Sequence, residues 1–157
     1  MSLSLRDRDA VQNHQNTVKV DLRPLREFLV VVRRQLKLSK PEIAIRLVND
    51  TEIRRLNKTY RKKDKATDVL SFPAKQLRKP LRSTNRLPVV KGEQLGDIAI
   101  SPATARRYAK KNGRSFVNEM RILILHGVLH LLGYDHAADS GEMDRVETRF
   151  RRRLGLQ

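Results

Sequence analysis

The 157-residue chain contains no cysteine, which excludes disulfide staples and thiolate metal ligands and is compatible with a reducing compartment. Tryptophan is absent, and three tyrosines and four phenylalanines leave little aromatic surface. No apolar run approaches the roughly 18–20 residues that cross a bilayer. The opening MSLSLRDRDAVQNHQNT has no apolar core of a secretory signal. Acidic residues are also scarce, 17 against 34 lysines and arginines, which gives a formal charge of +17. A cytoplasmic protein without a membrane segment is expected. Its partner should be a polyanion, nucleic acid before an anionic membrane surface.

A generally basic, solubilising surface is the competing explanation, and the distribution of charge argues against it. Six basic residues between Pro73 and Gly92 (Lys75, Arg78, Lys79, Arg82, Arg86, Lys91) face no acidic one. Five more between Ile98 and Asn118 (Arg106, Arg107, Lys110, Lys111, Arg114) are equally unopposed. Such blocks cannot neutralise themselves through local ion pairs, so they suit phosphate.

The length fits one domain with a real core. Residues 1–16 are expected to be a flexible tail, with 17–157 the folded domain and about 74–94 a basic loop. TVKV (17–20) alternates as a short strand, and EIAIRLVND does so at Ile43, Ile45 and Leu47. Asp21, with Pro24 in the first turn, caps a helix over LRPLREFLVVVRRQLKL. Asp50 is expected to cap TEIRRLNKTYR. DVLSFP is a strand stopped by Pro73, and LGDIAIS is another. Ser101–Pro102 starts a helix ending near Asn112–Gly113, and Ser115 caps the next. That helix, FVNEMRILILHGVLHLLG, is apolar nearly all round and should be the buried central one. A last helix, about 140–154, turns Met143, Val146 and Phe150 inward. The order predicts an α+β fold, a small mixed sheet of about four strands packed with about five helices.

HGVLHLLGYDH (126–136) holds three of the four histidines. His126 and His130 lie about 40° apart around a helix and project from one face. Gly133 lets the chain turn so that His136 can return as a third ligand. Three neutral imidazoles with an open fourth position suit a catalytic zinc. Histidines buried at this spacing without a shared purpose would be costly. The pattern H-x-x-x-H-x-x-G-x-x-H is that of metzincin peptidases, which place a glutamate general base directly after the first histidine. Here that position is Gly127, so a peptidase reading loses the group that activates water.

Taken with LNKTYRKKDKATDVLSFP and LGDIAIS, the histidine motif resembles the YbeY family of bacterial metal-dependent endoribonucleases and ribosome-maturation factors. The likeness runs in order from about Val18 to Leu156. It implies one Zn2+ on His126, His130 and His136, with water or substrate completing the site. It also assigns a catalytic and substrate-binding role to Arg61, which from charge alone reads as a solvated helix end. Lys62 and Lys63 follow as substrate-binding residues, although the family commonly has glycine where this chain has Lys62. The implied activity is single-strand-specific RNA cleavage in ribosomal RNA processing, including the 3′ end of the 16S RNA, with small-subunit proteins as partners. With so few aromatics, recognition led by the RNA backbone is expected. The alternative is a non-catalytic, RNA-binding assembly factor whose metal is structural. Asp97 in LGDI reads as a strand-start residue or as a partner to a ligand imidazole.

Overall fold

The computed structural model describes residues 2–39, 41–74, 94–135 and 139–156. Along them run α1 (Leu5–Asp9), β1 (Val11–Asn13), α2 (Leu22–Gln35), β2 (Glu42–Leu47) and α3 (Asp50–Arg61). β3 (Val69–Pro73), β4 (Gln94–Ile100), α4 (Pro102–Lys111), α5 (Phe116–Leu131) and α6 (Glu142–Arg153) follow. The strands form one mixed sheet in the order β1-β2-β4-β3, with β1, β2 and β4 parallel and β3 antiparallel to β4. This is the expected α+β architecture, with six helices rather than about five among the described residues.

Strand register sorts the side chains onto two faces. Ile43, Ile45 and Leu47 of β2 lie beside Gly96, Ile98 and Ile100 of β4, which in turn oppose Pro73, Ser71 and Val69 of β3. This face packs under α2 and α5 through Leu25, Phe28, Leu29, Val32, Leu125, Val128 and Leu129. Each such side chain contributes about 1.5–3 kcal/mol by leaving water. The opposite face presents Arg46, Asp97, Ala99, Leu70 and Phe72. There α3 covers only the β3 end, through Ile53 and Leu56 against Val48, Leu70 and Ala99.

Most helix starts follow their capping chemistry. Asp21, Ser101 and Ser115 accept hydrogen bonds from the backbone N–H of Arg23, Thr104 and Asn118 respectively. The cap of α3 is Asn49 rather than Asp50, its side chain accepting from the Glu52 N–H at 2.8 Å. The strand expected over 17–20 is absent. Both backbone groups of Val18 are taken by the Gln15 side chain, at 2.9 and 2.8 Å, leaving nothing for a sheet ladder. The first strand lies earlier, and residues expected to form a flexible tail are built into the fold. Ser4 and Asp7 form a reciprocal cap on α1. Arg6 ties that helix to the carbonyls of Ser39 and Pro41 and to Glu42. The His14 N–H continues the β1 ladder onto the Leu47 carbonyl at 2.8 Å. A three-residue strand is too short to show alternation, which is why the pattern hid it. Residues 75–93 of the expected basic loop lie outside the described residues.

Asp50, displaced from the cap, instead joins α3 to α4. Its carboxylate accepts from the hydroxyls of Ser101 (2.5 Å) and Thr104 (2.7 Å) and from Arg107 (3.0 Å). Burial raises its pKa, but the hydrogen bonds outweigh burial and leave it below the ordinary carboxylate value. A carboxyl lowered on folding stabilises fully above its unfolded pKa, about 3.9, and loses that contribution as pH falls through the folded value. Asp50→Asn is therefore expected to lower the unfolding free energy at pH 7 by about 1–2 kcal/mol in urea titrations. The gap from wild type should narrow in acid, and a gap independent of pH would contradict the assignment.

Candidate metal centre

α5 carries the two described histidines of the motif among residues that have almost no access to water. Met120, Ile124, Leu125, Val128, Leu129 and Leu131 are fully buried on it. His126 and His130, four residues apart, are only half-buried. Their Nε2 atoms approach to 2.9 Å, with the rings 4.5 Å apart and nearly perpendicular. The spacing read from the sequence thus brings two imidazole nitrogens to one point. His136 lies outside the described residues.

The partner that sequence reasoning missed is Glu147 on α6, whose Oε1 lies 2.6 Å from Nδ1 of His126. Both side chains are largely sheltered, 14% and 24% exposed, so the contact is held away from water. Its signal was present in the sequence. Glu147 falls in the stripe of Met143, Val146 and Phe150, a carboxylate on the buried face of an amphipathic helix. Asp97 takes no part, because it projects from the opposite face of the sheet.

This geometry fits a metal ion. A carboxylate at Nδ1 accepts the ring proton there, so Nε2 of His126 presents its lone pair towards His130. Two such nitrogens at 2.9 Å require a proton or a cation between them. Two nitrogens bound to one tetrahedral zinc, each 2.0–2.1 Å away, would be separated by about 3.3 Å, close to what is found. Among the described residues no group of three His, Cys, Asp or Glu side chains is placed to hold an ion. The imidazole pair, with the carboxylate behind His126, is what the structure describes of the histidine motif.

Gly127 lies between the histidines in sequence but faces the sheet. A Cβ there would sit 3.0 Å from two carbons of Ile98 on β4. Ser71 of β3 donates to the Gly127 carbonyl at 3.1 Å, fastening the same turn. Gly96, with φ +150°, is just as tight, since a Cβ would lie 2.5 Å from the Phe72 carbonyl oxygen and 2.7 Å from Leu131. A glutamate at 127 would start against Ile98 and face the sheet, so the position is poorly placed for a peptidase base. Gly127→Glu is expected to destabilise the fold by about 1–3 kcal/mol or more through overpacking. Gly127→Ala should do so less, because Ile98 must yield only a few tenths of an ångström. Thermal melts check both, and unchanged stability in Gly127→Glu would show that α5 does not press on β4 here.

Arg61 ends α3 on the other side of the edge strand. It is exposed, and among the described residues it makes no side-chain hydrogen bond or ion pair. The turn after it is well pinned. Buried Asn57 donates to the Lys65 carbonyl at 2.9 Å, Lys63 N–H reaches the Asn57 carbonyl, and Arg54 pairs with Asp64 at 2.8 Å. Lys62 caps the helix in the left-handed region, φ 58°, where glycine carries no steric cost and lysine does. That conformation accounts for the glycine the resemblance led one to expect. Lys62 and Lys63 are exposed beside Arg61. A chain of contacts joins this turn to the histidines around β3. Tyr60 packs on Phe72 at 5.1 Å, and the neighbouring Ser71 holds Gly127.

Fold and side-chain geometry together define a class, a small mixed-sheet α+β domain with a carboxylate-backed imidazole pair on its central helix. The sequence profile described as Endoribonuclease YbeY matches residues 10–155. The chain is 47% identical over 115 residues to the Endoribonuclease YbeY of Koribacter versatilis, covering 73% of this chain and 66% of that protein, just under two thirds of its length. It is 44% identical over 119 residues to the protein of that name from Nautilia profundicola, covering 76% of each. Among solved structures, a Thermotoga maritima protein determined in solution superposes with a TM-score of 0.57 at 26% identity, covering 89% of this chain and 84% of that one. The chain belongs to the YbeY family.

Proposed function

We propose that the protein is a zinc-dependent endoribonuclease that cuts single-stranded RNA, acting in the cytoplasm on ribosomal RNA, including the 3′ end of the 16S RNA, beside small-subunit proteins. The observation that carries this reading is the approach of the His126 and His130 Nε2 atoms to 2.9 Å with Glu147 behind the first. The relatives' name, Endoribonuclease YbeY, supports the substrate class. The charge of +17 on the whole chain supports it independently. His126, His130 and His136 are the proposed holders of one zinc ion. When bound, the zinc would supply a Lewis acid and a bound water of lowered pKa.

The remaining roles belong to side chains. Glu147 fixes the tautomer and orientation of His126 by accepting its Nδ1 proton. Arg61, mounted on a pinned turn and uncommitted to any partner among the described residues, offers a planar fork for two oxygens of a phosphodiester. Lys62, Lys63 and Lys65, all exposed, draw in the backbone through long-range charge. The leucines and isoleucines around α5 hold the imidazoles in place. No described helix is long and apolar enough to cross a membrane.

The test uses labelled single-stranded RNA with the full chain, a chelator control and single variants. Wild type should cleave and lose activity on chelation, regaining it with zinc. His126→Ala and Arg61→Ala should each lose about 10²-fold or more. Glu147→Ala should weaken zinc affinity about 10–100-fold. Equal cleavage by wild type and variants would assign the activity to a contaminant. Zinc-loaded protein that binds RNA without cutting it would establish the assembly-factor reading instead.

A further inference from the structure

A sizeable cavity among the described residues lies away from the histidines. It lies on the opposite face of the sheet, a groove of about 720 Å³ between α3 and the strand surface that this helix leaves uncovered. Its volume is that of a small-molecule site, which typically runs about 300–1,000 Å³. One wall is aromatic. Tyr60 and Phe72 line it together, their centroids 5.1 Å apart and their planes at 67°. Rings that meet edge to face do not cover each other, and Tyr60 stays 65% exposed. An exposed tyrosine held in place by a second ring is a rigid platform for a planar ligand.

The floor is polar. Arg46 of β2 and Asp97 of β4 both line the groove, and among the described residues neither forms an ion pair or side-chain hydrogen bond. Thr51 adds a hydroxyl. Glu52, also at the rim, is already matched by the two nitrogens of Arg55 at 2.6 and 3.0 Å. An uncommitted cation, an uncommitted carboxylate and an aromatic face suit a phosphate, an amino or 2′-hydroxyl donor, and a base. Tyr60 also immediately precedes Arg61, and its neighbour Phe72 adjoins Ser71, which holds the turn of His126.

We propose that this groove is a ribonucleotide subsite in which one base of a single-stranded RNA stacks on Tyr60, braced by Phe72, as the strand passes from Arg61 onto the open sheet face. The assignment rests on the ribonuclease reading and adds to it a base-binding contact outside the metal centre. Stacking on aromatic side chains tolerates all bases, so the subsite favours unpaired RNA without selecting a sequence.

The experiment titrates the full chain at low temperature, before measurable cleavage, into a single-stranded RNA carrying one 2-aminopurine. Tyr60→Phe and Tyr60→Leu are compared with wild type, and thermal melts verify folding. Wild type and Tyr60→Phe should quench the probe at one position and bind alike. Tyr60→Leu should lose the quenching and about tenfold in affinity, with KM for cleavage raised and kcat nearly unchanged. Its salt dependence should keep the wild-type slope, because no phosphate contact is lost. A well-folded Tyr60→Leu that binds and quenches like wild type would overturn the proposal, and the groove would then be left to a polypeptide partner. If wild type quenches through Tyr60 yet never cuts RNA, the ribonuclease reading fails while the subsite stands.

Discussion

The contact between α5 and β4 is the constraint on which the rest of the structure depends. Two glycines permit it, Gly127 above Ile98 and Gly96 beneath Leu131, each with less room than a methyl group needs. Close approach of helix and strand locks the rotation of α5 about its axis. That rotation aims His126 and His130 to the same point and lets α6 deliver Glu147 to the first ring. It also explains how so apolar a helix can carry polar chemistry. The turn that holds both imidazoles is fixed on one side by the sheet and on the other by α6, so the imidazoles need not move to meet a ligand.

The same packing separates two tasks. One face of the sheet is filled by α2 and α5 and carries the imidazoles. The other is filled only at its β3 end and retains a groove. β3, short and ending at Pro73, is the rim between them, with Arg61 on a pinned turn nearby. A strand of RNA following that rim, as proposed, would meet fixed charge, then the imidazole pair, with Tyr60 and Phe72 behind. Because the platform and the charges sit on a rigid sheet and helix ends, little ordering is required on binding.

Much of this was legible in the sequence, and the reasons for the rest are physical. Caps at Asp21, Ser101 and Ser115, the buried character of 116–131 and the histidine spacing are local signals, and all appear in the structure. β1 was not legible because three residues carry no period, and Gln15 imitates a strand neighbour at Val18. Asp50 was misjudged because its partners, Ser101 and Thr104, lie some fifty residues away. Glu147 could have been read as a carboxylate on an apolar stripe. The meaning of Gly127 shifted. As a missing glutamate it argued against peptidase chemistry, and as a packing contact it turns this position towards Ile98. The sparse aromatics suggested recognition led by the RNA backbone. The topology places Tyr60 and Phe72, twelve residues apart, side by side along one groove of the described fold.

The claim that α5 builds a metal centre is tested most directly by crystallography of zinc-saturated protein with anomalous data at the zinc edge. The account predicts one peak per chain about 2.0–2.1 Å from Nε2 of both His126 and His130, with Glu147 on the Nδ1 side of His126. Zinc-saturated crystals with no peak there, or with the peak bound elsewhere, would contradict it.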